Sequence, residues 1–99
     1  MTTWGRAPFL DELGEDDEGV VMLLDGRVLA LSSLAWTLVT ALRDTDLAAE
    51  DLAAILVERF GVATGEDGED LSGQLTLGTL LELEQEGVLS RHDRAEGPG

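Results

Sequence analysis

Apolar positions along this chain change rhythm near residue 32. Before it, Gly19-Val20-Val21-Met22-Leu23-Leu24 is an unbroken apolar run rich in β-branched residues, and after Asp25-Gly26 comes a second run, Arg27-Val28-Leu29-Ala30-Leu31. Two such runs joined by Asp-Gly predict a β-hairpin with strands at about 19–24 and 27–31. The dipeptide tolerates the positive φ angles of a two-residue type I′ turn, whose twist matches that of the paired strands. Beyond residue 32 the spacing becomes helical: Leu34, Leu38 and Leu42 recur every fourth position, with Ala35, Val39 and Ala41 beside them, and Ser32 and Ser33 are good N-cap residues. A second helix is expected from about 47 to 60, capped by Asp46, with Leu52, Ile55, Leu56 and Phe60 on one face and Gly61 as its stop. Residues 63–68 read as a loop, and a third helix is expected from about 69 to 86, ending at Gly87. Val88-Leu89 is then expected to fold back onto the core.

The flanks carry weaker signals. Residues 1–7 have no periodicity, and Pro8-Phe9-Leu10-Asp11-Glu12-Leu13 reads at best as a short edge strand. Trp36, inside an amphipathic helix, is expected to be partly packed, whereas Trp4 is either an exposed terminal residue or a staple on the sheet. Residues 90–99 are polar, include Pro98 and lack an apolar stripe, so a disordered tail is expected there. The expected organisation is an N-terminal segment 1–18, a domain 19–89 and a tail 90–99. The order of elements predicts an α+β fold resembling a winged helix-turn-helix: a small antiparallel β-sheet of two or three strands followed by three α-helices.

Composition narrows the function. Ninety-nine residues, 43% hydrophobic, make one domain with a modest core. The absence of cysteine excludes disulfides, thiolate metal sites and Cys nucleophiles. No basic segment precedes an apolar one near the start, and no apolar run approaches the roughly 20 residues needed to span a bilayer, so the chain reads as cytoplasmic. Charge is the strongest bound: 21 acidic residues face 6 arginines, giving a net charge of −15. Such a surface repels phosphate and anionic membranes, so neither nucleic acid nor membrane is an expected partner. Glu15-Asp16-Asp17-Glu18 is the densest acidic run and lacks the alternating spacing and Gly of a calcium loop. The only histidine, His92, falls in the expected tail, no base can be placed beside Ser32 or Ser33, and Glu82, Glu84 and Glu86 alternate along a helix where such neighbours do not converge. No catalytic residue, metal or cofactor is therefore expected.

Three segments in order carry a resemblance: Leu31-Ser32-Ser33-Leu34-Ala35, Glu58-Arg59-Phe60-Gly61-Val62, and Glu86-Gly87-Val88-Leu89. Together they resemble PqqD-like proteins, the recognition elements of ribosomally synthesised peptide (RiPP) biosynthesis, over about residues 20–89. The chain departs from the family pattern at Ser32, where Asn is favoured, at Leu34, where Thr is favoured, and in helix three, where Gly73, Thr76, Gly78 and Thr79 replace better helix formers.

The resemblance implies a non-catalytic module that binds the leader of a precursor peptide as an added strand and presents it to a modifying enzyme. It assigns the contact to the third strand and third helix. Here those are Arg27, Val28, Leu29, Ala30 and Leu31 on the strand and Leu75, Gly78, Thr79 and Glu82 on the helix. An edge strand offers free N–H and C=O groups, and small helix residues beside it would leave a groove. Leu75 could equally be core, with Gly78 and Thr79 allowing close packing. Two other classes use the same elements: a winged-helix DNA-binding regulator, which would need more base-reading side chains than Arg59, Gln74 and Gln85, and a structural or dimerisation module.

Overall fold

The computed structural model describes residues 2–15 and 18–93, which form a small α+β domain with two antiparallel sheets and three helices. Chain order is β1 (Thr2–Arg6), β2 (Phe9–Gly14), β3 (Gly19–Leu23), β4 (Val28–Leu31), α1 (Ser33–Ala41), α2 (Ala49–Phe60), α3 (Ser72–Glu86) and β5 (Leu89–Asp93). The expected hairpin is β3–β4, and the short strand expected near Phe9 is β2, at one edge of the sheet β2-β3-β4.

The turn between β3 and β4 differs from expectation. Gly26 alone has positive φ, at 92°, and Asp25 does not. Gly26 N–H donates to the Leu23 carbonyl (3.0 Å) and Leu23 N–H to the Arg27 carbonyl (2.8 Å), so Leu24-Asp25-Gly26 is a three-residue connection ending in a glycine bulge, not a two-residue type I′ turn. Asp25 instead uses its carboxylate, accepting from the Arg27 backbone N–H (3.0 Å) and Nε (2.8 Å).

The core gathers one face of each element: Val21, Leu23 and Leu31 from the sheet, Ala35, Trp36, Leu38, Val39 and Leu42 from α1, Leu52 and Leu56 from α2, Leu80 and Leu83 from α3, then Val88 and Leu89. Trp4 joins it at 1% exposure, which settles the two readings of that residue in favour of neither: it is core. Residues 1–7 carried no strand signal, yet Thr2–Arg6 pairs with Leu89–Asp93 in register Thr2↔Asp93 to Arg6↔Leu89. Ser90–Asp93, expected in a disordered tail, is therefore strand, and His92 sits opposite Thr3. The rest of that tail lies outside the described residues.

Helix limits shift where tertiary contacts compete with local caps. Ser32 caps α1, its Oγ accepting from Ala35 N–H (3.2 Å). Asp46 does not cap α2. Leu47 is bound to Trp4 by both backbone groups (2.7 and 3.0 Å), which holds the chain extended, and the N-cap falls at Ala48. Gly61, at φ 86°, ends α2 as expected. Helix three begins at Ser72 and not near residue 69, because Glu69 and Leu71 are engaged by backbone bonds to Gly65 (2.9 Å) and Ala63 (2.7 Å). Gly87 closes it in the left-handed conformation.

Candidate functional site

Strand β4 pairs with β3 alone, and among the described residues no strand lies on its other side. The register is Gly19↔Leu31, Val20↔Ala30, Val21↔Leu29 and Met22↔Val28. Since Leu23 and Arg27 form a bonded pair at the turn, antiparallel alternation makes Leu29 and Leu31 the residues whose N–H and C=O face β3. Val28 and Ala30 direct theirs outward, away from the sheet. Their side chains stand on the outer face of the sheet, while Leu29 and Leu31 turn inward, Leu31 buried and Leu29 half-buried.

Helix α3 reaches the flanks of this strand at two points. At one end Arg27 reaches Glu86, through Nη2 to its carbonyl (3.2 Å) and Nη1 to its carboxylate (3.6 Å). At the other end Leu75 lines a cavity with Leu34, three residues past the end of β4. On a helix of 3.6 residues per turn, Leu75, Thr79, Glu82 and Glu86 form one stripe, with Gly78 at its border. The buried stripe is a different one, Ser72, Thr76, Leu80 and Leu83. Leu75 is 44% exposed, so it is not core, and Gly78 and Glu82 are also exposed with Thr79 half-buried. An alanine methyl at Gly78 would meet nothing, so this glycine does not serve close helix packing either.

The strand and helix residues thus converge unevenly. Arg27 and Glu86 touch, Leu75 is joined to the strand end through Leu34, and Val28 and Ala30 direct their backbone groups outward in the sheet plane. Glu86 was not among the residues expected here, although its place four residues after Glu82 puts it on the same stripe.

The cavity at the α3 start has a volume of about 270 Å³ and is lined mostly by apolar side chains, among them Leu34, Leu56, Phe60, Val62 and Leu75. Its floor is braced by Ser72, whose Oγ accepts from Ala63 N–H (3.0 Å) and whose carbonyl accepts from the Thr76 hydroxyl (2.7 Å). Asp70 holds the start of the helix: its Oδ1 accepts from Ser72 N–H (2.9 Å), and that bond, with a second from the Ser72 hydroxyl, lowers its pKa below the ordinary carboxylate value. Asp25 is lowered likewise, first by the Arg27 backbone N–H and then by its side chain. Sequence reasoning missed this cavity, although Phe60 was expected on the apolar face of helix two and Phe60-Gly61-Val62 within a segment that carries the resemblance.

Among the described residues no cluster of three or more His, Asp or Glu side chains could hold a metal ion, and no helix is long and apolar enough to cross a membrane. His92 lies 3.9 Å from Asp46 and belongs to the β1–β5 pair, not to the sheet that contains β4. Compared with family models, with curated proteins and with solved structures, the chain gives no match.

Proposed function

We propose that this domain is a PqqD-like recognition element, with a winged-helix-like arrangement of its hairpin and helices, that binds the leader of a precursor peptide for a separate modifying enzyme. The observation that carries the reading is the open edge of β4, where Val28 and Ala30 direct N–H and C=O groups away from β3. An extended peptide satisfies those groups as a fourth strand, and main-chain bonds of this kind supply affinity without demanding a particular sequence. Selectivity comes from what lies beyond the edge. Leu75 and the cavity it shares with Leu34 and Phe60 accept an apolar side chain, and Thr79 and Glu82 border the path. The module catalyses nothing itself; it raises the local concentration of the precursor at an enzyme. Action in the cytoplasm, where precursor peptides are made, belongs to the same proposal.

Proline at Ala30 tests the mode of binding. Ala30 N–H faces away from β3, so the substitution removes a peptide-facing donor without removing a bond of the existing ladder. The probes are fluorescent leader peptides of precursors encoded beside this chain's gene. We expect wild-type binding that is flat or slightly rising with salt, since Glu82 repels an acidic leader while backbone and apolar contacts ignore ionic strength. Ala30→Pro should lower affinity at least tenfold with helical circular dichroism unchanged. Unchanged affinity in that variant overturns strand addition. Binding of duplex DNA at low salt, with no leader bound, overturns the recognition-element reading and favours a DNA-binding regulator.

A further inference from the structure

The outer face of the three-stranded sheet is a second surface. Alternation along the strands places Leu13 opposite Val20 and Val20 opposite Ala30, with Met22 opposite Val28 on the same face. Leu13 is 77% exposed, Val28 58% and Met22 40%, and nothing in the described chain packs over them. Two shallow depressions lie on either side of the Leu13–Val20 pair, one reaching Met22 and Val28 and the other Gly14 and Ala30. An antiparallel sheet with one face on the core ordinarily shows polar residues on the other. Here that face is apolar at nearly every position, and contiguous exposed apolar surface of this kind marks an interaction site.

The border of the face is acidic. Asp11 lines one depression, Glu15 and Glu18 the other. Glu12 also lines the first depression and pairs with Arg6 and Arg43 (2.7 and 3.6 Å), whereas Arg27 is drawn to Asp25 and Glu86 and Arg91 to Glu84. An apolar centre with an acidic border, on a chain of net charge −15, is complementary to an apolar patch edged by lysine or arginine. A second copy of this chain is a poor occupant, because two surfaces of net charge −15 and the same acidic border would face each other.

We propose that this outer sheet face docks a partner protein through an apolar patch bordered by basic residues, separately from any peptide at the β4 edge. The test uses the full chain, labelled with ¹⁵N, and three synthetic helical peptides. The first has a leucine stripe flanked by lysines, the second keeps the lysines and replaces leucine by serine, and the third keeps the leucines and replaces lysine by glutamate. At 150 mM salt the first should shift the amides of Leu13, Val20, Met22 and Ala30 and bind at least tenfold tighter than either control. The double variant Leu13→Ser and Met22→Ser should lose that binding while keeping its helical signal and any leader binding, since neither residue belongs to β4 or α3. Shifts centred elsewhere, equal binding of the lysine–serine peptide, or unchanged binding by the variant overturns the proposal. So does sedimentation that shows a dimer dispersed by the same variant, which would make a second copy the occupant.

Discussion

Gly14 and Gly19 face each other across β2 and β3, and the Trp36 ring lies against both, with its Nε1–H donating to the Glu15 carbonyl (2.7 Å). A methyl group at either glycine would overlap the indole. Gly19→Ala should therefore destabilise the fold by about 1–3 kcal/mol, the usual cost of overpacking a filled core, and urea unfolding monitored by Trp36 fluorescence measures it. A loss below a few tenths of a kcal/mol would mean that the ring has room to move. Two carboxylates offer a separate check. Asp25 and Asp70 are held below the ordinary value by backbone N–H bonds that favour the charged form. A depressed folded pKa stabilises the protein above the unfolded value, near 3.9, and that contribution disappears as pH falls through the folded value. Carbon-13 titration should give both midpoints below about 3.9; midpoints at or above it would show that the turn bonds do not persist in solution. Of these residues, the sequence revealed Asp25 as a turn residue and Trp36 as partly packed, but not what the Trp36 ring packs against. Its partners are glycines 17 and 22 positions away, and no local pattern links an aromatic residue to glycines at that distance.

At the level of elements, what could be read was what local chemistry decides. The β3–β4 hairpin, the Ser32 cap and the Gly61 and Gly87 stops all depend on neighbours a few residues away. What could not be read was decided by distant backbone. Asp46 is a good cap in isolation, but the Leu47–Trp4 bonds commit the chain to an extended path, and β1 and β5 exist only because they pair with each other. The proposed peptide site divides in the same way: the β4 edge follows from the hairpin, whereas the cavity at Leu75 needs α2 and α3 brought together. Helix α3 permits a direct test of how it is held. Gly73 and Gly78 contact nothing that an added methyl would meet, so they weaken the helix without improving its packing. Gly78→Ala should raise stability by roughly 1 kcal/mol, seen as a higher denaturation midpoint at unchanged m-value. If stability falls, the added methyl meets neighbours that leave no open space at Gly78 in solution.

For the whole molecule, charge outweighs any single pair. The ion pairs at Arg27 and Arg91 are largely exposed and add little. The net charge of −15 acts everywhere at once and opposes compaction. Raising salt from 20 to 300 mM should increase the thermal midpoint in calorimetry at pH 7. A falling midpoint would show that the few arginine pairs outweigh general repulsion. The pairing of Thr2 with Asp93 has a consequence of another kind. Partners across an antiparallel ladder sit about 5 Å apart, so the described chain nearly closes into a ring. Joining those two points with a short linker and opening the exposed turn at Asp67-Gly68 would produce a circularly permuted protein with every strand and helix intact. In that protein β5 would run through the linker into β1, turning the pairing most distant in sequence into a local hairpin.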